Sequence, residues 1–437
     1  MMTVSVAARP CGDRLEACLT RIEDSTGEGA RAFTKIYAER ARVAAEAADS
    51  RARLGQRLGP LDGRIVSIKD LFDVAGEATT AGSKLRRNAP TAISEAPVIA
   101  RLRAAGAVII GKTNMTEFAF SGVGINPHYG TPGNPADRSR IPGGSSSGGA
   151  VSVADGMAEI TIGSDTGGST RIPAALCGIV GLKPSQYRVP TTGAFPLSYA
   201  LDSIGPMAHS VADCALADAV MAGEAPLPLA PAPLPGLRLG IPQGLLMEGM
   251  EPAVAAAFEN AISSLGKASA RISDQPLPLL ADMLAVNTRG GFAATEAYAI
   301  HRDYLAHRAG DFDPFVRGRI ERGSTVPAAD YIFMQRRRAE LIAAMDAQLA
   351  DLDALILPTT PITAPQIDAL AGDEAAFTAV NMLLLRNTAV ANFFDLCAIS
   401  LPLPATGLPV GLMLVTRNGQ DHRLLRMAAA VENALNK

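Results

Sequence analysis

Two clusters of glycine and serine, PGGSSSGGAVS at 142–152 and GSDTGGSTR at 163–171, constrain this chain more than any other feature. Glycine has no Cβ, so a glycine-rich loop lets backbone N–H groups approach a ligand closely. Apolar segments flank and separate the two clusters, so they are parts of a fold and not a flexible linker. Converging N–H groups can hold a phosphate or a developing oxyanion. The phosphate reading needs G-x-x-x-x-G-K-[ST], or G-x-G-x-x-G after a strand, and neither occurs.

The sequence around the clusters alternates helical patterns with short apolar runs. Leu15, Cys18, Leu19 and Ile22 fall at helical spacing, and the stretch 30–52 continues in the same style. Ile65, Val66 and Ile68 form a β-branched run that ends at Lys69. Residues 97–105 read as a helix stopped by Gly106, and 107–110 as a buried strand. Further strands are expected at 237–241, at 354–357 and in the stretch 406–415 after a turn. Residues 252–350 read mainly as helices, and 424–435 as a closing helix. Such alternation indicates an α/β protein with a mostly parallel sheet. Five prolines within 226–235 mark a surface strap and the best candidate for an internal boundary. No internal repeat is visible.

Charge and composition exclude several functions. Forty basic against 43 acidic residues leave a net charge of −3, which gives no footprint for nucleic acid or an anionic membrane. No apolar run approaches the ~18 residues of a spanning helix. The opening MMTVSVAARPCGDR lacks the apolar stretch of a secretory leader, so a cytoplasmic protein is expected. The five cysteines (Cys11, Cys18, Cys177, Cys214, Cys397) are odd in number, widely spaced and without C-x-x-C. The five histidines are scattered. Neither a disulfide framework nor a metal site is indicated.

Two familiar catalytic motifs match in form only. GSSSG at 144–148 has the pattern of a nucleophile elbow, with His422 as a late histidine, but 134–142 does not read as the buried strand that motif requires. DTG at 165–167 matches the aspartic-protease triplet, yet no second triplet supplies the other carboxylate. The bland alternative is that both clusters are structural turns. Two serine-bearing clusters with a lysine at the end of a buried strand weigh against it.

The stretch from Gly63 to Asp213 resembles the amidase signature family. The resemblance rests on GRIVSIKDLFDVAG (63–76), AGAVIIGKTNMTEFAFSG (105–122), PGGSSSGGAVSVADG (142–156) and IGSDTGGSTRIPAALCGIVGLKPS (162–185). LPTTPITAP (357–365) and GLPVGLMLV (407–415) are also similar. It implies one large α/β domain, 1–437, with a mixed central sheet covered by helices. Within it an N-terminal helical arm takes about 1–60, the signature core about 63–215 and a variable, substrate-facing helical region about 252–350. The implied activity is hydrolysis of a linear carboxylic amide to acid plus ammonia or amine, without cofactor or metal. The implied partner is a small amide, with a homodimer as the one assembly considered.

The resemblance also assigns residues. Lys69 matches the family lysine, Ser169 the nucleophile, and Ser145 the bridging serine, held through a cis Gly144–Ser145 peptide. Ser146 is its neighbour, and Ser147 makes a run of three serines where a glycine is usual. The N–H groups of Thr166, Gly167, Gly168 and Ser169 would form the oxyanion hole. Asp165 would brace that loop; Arg171 would brace it too or bind a substrate carboxylate. Phe120 and Ser121 align with an acyl-pocket segment, although Phe120 equally suits plain core. Tyr187 stands where many members have glycine.

Physical chemistry fits these roles. A serine hydroxyl is a poor nucleophile until a base takes its proton. Lysine can be that base only when neutral, and burial lowers its pKa from ~10.4 toward the useful ~7–8. The bland reading of Lys69 is an ion pair with Asp70 or another acid. The run Arg336, Arg337, Arg338 reads as a solvated helix face before a carboxylate site. Two other functions stay open: the A-type subunit of a glutamine-dependent amidotransferase, and a urea-type hydrolase acting on biuret or allophanate.

Overall fold

Runs of β-branched and apolar residues lay down the strands, and glycine and proline cut the helices to length. The computed structural model of the chain describes residues 9–436, so the start of the N-terminal arm and the opening segment read for a leader lie outside the described residues. One sheet holds β1 (Phe33–Ile36), β2 (Ile65–Lys69), β3 (Val108–Thr113), β4 (Ile160–Asp165), β5 (Val180–Lys183) and β6 (Ser203–Ala208). It continues through β7 (Arg238–Pro242), β8 (Arg271–Gln275), β9 (Ala354–Pro358), β10 (Cys397–Leu403) and β11 (Val410–Thr416). Their spatial order is β1-β3-β2-β4-β6-β5-β10-β11-β9-β7-β8.

Both faces of the sheet are covered. Val66 and Ile68 of β2 pack into a core shared with the helices Pro97–Ala104 and Val211–Ala222. Ile65, pointing the other way, packs with the helices Cys11–Glu23 and Ala38–Arg53. This period-two alternation is what a doubly covered strand requires. Gly106 ends its helix at φ +84°, and a Cβ there would come within 2.3 Å of Asp62 Oδ1.

Three expectations need correction. The sheet is not mostly parallel: β2 runs parallel to β3 and β4, and β7 to β8 and β9, but every other neighbouring pair is antiparallel. The stretch 30–52 is not one helical segment, because β1 interrupts it and pairs with β3, Phe33 opposite Thr113. An open hydrogen-bonding edge overrides local helix propensity there, and Phe33, Thr34 and Ile36 suit a strand. The helical stretch 252–350 likewise contains β8, an exposed polar edge strand.

The proline strap does not divide the molecule. Ala232 N–H donates to Arg426 O (2.9 Å) and Arg426 Nε to Ala230 O (3.0 Å), which lays the strap on the helix Asp421–Leu435. Strands from before and after it join one sheet. β2 and β4 lie side by side near one end of this order, and their C-terminal ends carry Lys69 and Ser164–Asp165.

Candidate active site

Lys69 closes a strand buried along its whole length, and its own side chain is fully buried. A lysine there cannot reach water, so its ammonium hydrogens need protein acceptors. Nζ donates to Ser145 Oγ (2.8 Å) and Ser164 Oγ (2.9 Å). Both are neutral hydroxyls. The neighbouring Asp70 is engaged elsewhere: it lies 3.3 Å from Lys112 Nζ and accepts from Thr34 Oγ1 (3.0 Å) and Thr80 Oγ1 (2.5 Å). Burial pushes the Lys69 amine down to about 7, against the weaker opposing pull of Asp165 and Asp202. An amine so placed is poised to take a proton near neutral pH.

The two glycine–serine clusters meet above this lysine. The Gly144–Ser145 peptide is cis. Its surroundings are tied on both sides: Gly144 N–H donates to Gly122 O (2.8 Å) and Thr116 N–H to Ser145 O (3.0 Å). Ser146 N–H donates to Ser169 O (3.3 Å), and Ser146 Oγ to Ser164 O (3.4 Å), so the first cluster is stitched to the second. Ser169 sits in the turn between β4 and the helix Arg171–Cys177 and is 3% exposed. Among the described residues, the N–H groups of Gly167, Gly168 and Ser169 donate to no protein acceptor. Gly168 lies at φ +137°, with a hypothetical Cβ 2.2 Å from Thr388 Oγ1, so no other residue fits there.

A buried ionic knot fixes that turn. Asp165 accepts from Arg171 Nη2 (2.9 Å), Arg171 Nε (3.1 Å), Thr170 N–H (3.1 Å), Thr170 Oγ1 (2.9 Å) and Asn392 Nδ2 (2.9 Å). Burial alone would raise the Asp165 carboxyl, but the Arg171 charge and the hydrogen bonds from Arg171 and Asn392 hold it well below the usual carboxylate range. Thr388 Oγ1 donates to Gly167 O (2.6 Å) from the same helix, Glu374–Phe393, that carries Asn392.

A buried amine with a lowered pKa, two hydroxyls and a row of free N–H groups form the equipment for acyl transfer. Comparison with known proteins then decides the family, because the sequence model of the amidase family matches residues 13–425. The chain belongs to the amidase family. Among its relatives is the 2-amino-5-chloromuconic acid deaminase of Comamonas testosteroni, 40% identical over 403 residues that cover 90% of this chain and 86% of that one. The A-type subunit of the glutamyl-tRNA(Gln) amidotransferase of Chloroflexus aggregans is 39% identical over 95% of this chain and 91% of that one. A crystal structure of an amidase superimposes with a TM-score of 0.87 at 34% identity, covering 98% of this chain and 97% of that one. Amide hydrolysis is the chemistry this family membership supports.

The amidase site also sorts the open alternatives. Arg171 is wholly buried and committed to Asp165, Asn392 Oδ1 (2.8 Å) and Thr388 O (2.9 Å), so its guanidinium is tied into the turn. Ser121 Oγ donates to Asn381 Oδ1 (3.2 Å), beside Gly122 N–H on the same acceptor (2.9 Å). Phe120 is nearly covered, with the Arg319 guanidinium 4.7 Å above its ring. The solvated-face reading of Arg336 to Arg338 fails for its last member. Arg338 turns inward with Met334 and Leu341, as helical spacing dictates, and donates to Phe393 O (2.8 Å) and Asn392 O (3.0 Å).

Sequence patterns gave no sign of several residues around the site. Ser164 stands one alternation along β4 from Ile162 and two from Ile160, and its partnership with Lys69 emerges only when β2 and β4 pair. Asp202 accepts from Thr166 Oγ1 (2.5 Å), Leu197 N–H (2.9 Å) and Ser198 N–H (3.1 Å), and burial pushes its carboxyl up to about 6. Asp202 and Ser164 line a hollow of about 290 Å³ that also reaches Tyr199. Tyr199 borders a second cleft of about 480 Å³, lined by Tyr187, Phe292, Glu296, Tyr331 and Arg338. Tyr187, held at φ +65° and 81% exposed, stands at its rim.

Proposed function

We propose that the chain hydrolyses linear carboxylic amides through an acyl-enzyme on Ser169, with Ser145 and Lys69 as its proton relay. The observation that carries this reading is the fully buried Lys69 amine, hydrogen-bonded to Ser145 Oγ with no carboxylate partner. Neutral Lys69 takes the Ser145 proton while Ser145 takes that of Ser169, and Ser169 Oγ bonds to the amide carbon. The carbonyl oxygen becomes an oxyanion facing the N–H groups of Thr166, Gly167, Gly168 and Ser169. Donors of this kind are worth roughly 3–4 kcal/mol each in other hydrolases. Collapse breaks the C–N bond, and the relay returns its proton to the departing nitrogen. Water, activated by the same pair, then breaks the ester and releases the acid.

The helical region about 252–350 is read as the substrate-facing part, because Phe292, Glu296, Tyr331 and Arg338 come from it to line the larger cleft. The similarity to an amidotransferase subunit supports a second reading, in which glutamine is the amide and a partner takes the ammonia. The deciding experiment is ammonia release from aliphatic, aryl, ω-carboxylated and glutamine amides and from biuret, by wild type and Ser169→Ala. Release by wild type and its loss in the variant, by about 10⁴-fold or more, is expected. Release unchanged in Ser169→Ala would remove the nucleophile, and release from glutamine alone would favour the amidotransferase reading.

A further inference from the structure

The hollow of about 290 Å³ beside Ser164 has one charged side chain in its lining, Asp202. Other inward carboxylates of this protein face a cation: Asp165 has Arg171, Asp62 has Arg51, Asp218 has Arg188 and Asp70 has Lys112. Asp202 departs from that pattern. Its partners are the Thr166 hydroxyl (2.5 Å) and the N–H groups of Leu197 (2.9 Å) and Ser198 (3.1 Å), all neutral. Among the described residues no cation offsets its charge. A carboxylate without a counter-ion in contact acts on ionisable groups farther away.

The ionisable groups around it come from several elements. Lys69, at the end of β2, lies 2.9 Å from Ser164 Oγ, and Ser164 lines the same hollow. Asp165, at the end of β4, also acts on Lys69, but the Arg171 guanidinium in contact with it carries the opposite charge. Tyr199 brings a phenol to the hollow. Glu296 belongs to the helix Gly291–Arg308. One of its oxygens accepts from Ala200 N–H (3.1 Å) and Ser198 Oγ, the other from the Tyr331 hydroxyl. Covering protein and, more weakly, the charge of Glu296 push the Asp202 carboxyl up to about 6, so it is ionised where Lys69 titrates, at about 7. Thr166 is the first residue after β4, so Asp202 also holds the start of the turn that carries Ser169.

We propose that Asp202 is a positioning residue for this site: it pins the Thr166 end of the turn, and from the hollow it shares with Ser164 its carboxylate supplies the counter-charge for Lys69 when that amine holds a proton. A buried amine with no anion near it would be too weak a base, and one touching a carboxylate would stay protonated. Asp202 acts without touching Nζ, so the amine stays between these limits. The turnover it serves is the Ser169 reading above; the counter-charge on Lys69 stands apart from it.

The test uses Asp202→Asn, which removes the charge and keeps the contacts. Its amide oxygen accepts from Leu197 and Ser198, and its amide nitrogen donates to a Thr166 hydroxyl turned to accept. kcat/KM is measured from pH 5 to 9 on any amide the wild type turns over. The rise through about 7 should move down by about one pH unit in Asp202→Asn. The plateau should fall roughly 3- to 10-fold, because a less basic lysine accepts a proton less readily. A lowered plateau with the rise unmoved would mean a structural role and overturn the counter-charge, as would a rise moved upward. The amine is also read without turnover. The chain has seven lysines, and after carbon-13 labelling at lysine Cε the Lys69 signal is the one lost from the NMR spectrum of Lys69→Met. Its titration midpoint should fall in Asp202→Asn, and likewise in Asp202→Ser, a second uncharged variant in case asparagine disturbs the fold. An unchanged or higher midpoint in a folded variant overturns the proposal. A lowered midpoint in a protein that hydrolyses no amide supports the counter-charge and sinks the hydrolysis reading alone.

Discussion

Lys69 owes its chemistry to what is absent around its amine. With two hydroxyls as partners and no anion in contact, the charged form is disfavoured, and the amine titrates at about 7. Activity should therefore rise with pH through about 7 and level off above it, measured as kcat/KM on any amide turned over. A profile flat from pH 5 to 9 would contradict a lysine base. The same group affects stability. Between about 7 and 10.5 the unfolded chain holds a proton on this lysine that the folded chain does not, so its contribution makes stability increase with pH there. Lys69→Met removes that dependence. Its melting temperature relative to wild type should thus be more favourable at pH 6.5 than at pH 9.5, read by circular dichroism. Motif text made Lys69, Ser145 and Ser169 legible, because each stands in a stretch of distinctive spacing. Ser164 was illegible for a physical reason: its place beside Lys69 is defined by strand pairing, which leaves no local pattern.

At the scale of elements, the turn between β4 and the helix Arg171–Cys177 is held from outside. The helix Glu374–Phe393 contributes Thr388 to Gly167 O and Asn392 to Asp165. Removing one member of a buried ion pair strands the other, typically at about 3–5 kcal/mol. Arg171→Met should cost about that much in chemical denaturation and abolish turnover. Arg171→Met/Asp165→Asn should recover part of the stability, because no lone charge remains. If Arg171→Met unfolded like wild type, the bracing role would fall. The sequence left Arg171 between bracing and substrate binding, since one residue type serves both. Only the arrival of Asn392 and Thr388, more than 200 positions later, distinguishes them. Helices with clear apolar stripes were readable, whereas β1 and β8 were not. Edge strands are specified by the neighbour they join more than by their own composition.

At the scale of the molecule, the proline strap lies on the helix Asp421–Leu435, and strands from before and after it join one continuous sheet. Calorimetry should show a single cooperative transition with matching calorimetric and van't Hoff enthalpies. Two transitions, one on each side of the strap, would contradict a single folding unit. The α/β class was legible from alternating texture, but the antiparallel majority was not. β5, β6 and β10 each carry a glycine or a proline and take their direction from long-range pairing. Long-range contact also governs how the protein comes into being. The hydrogen bond from Thr388 to Gly167 spans 221 residues. During synthesis Ser169 leaves the ribosome long before the helix that shapes its turn exists. The nascent chain and any fragment ending before that helix therefore carry Ser169 without the scaffold that shapes its turn. That turn takes its fixed geometry only once Thr388 and Asn392 have been made, so a fragment truncated before them holds the second glycine–serine cluster without its outer support.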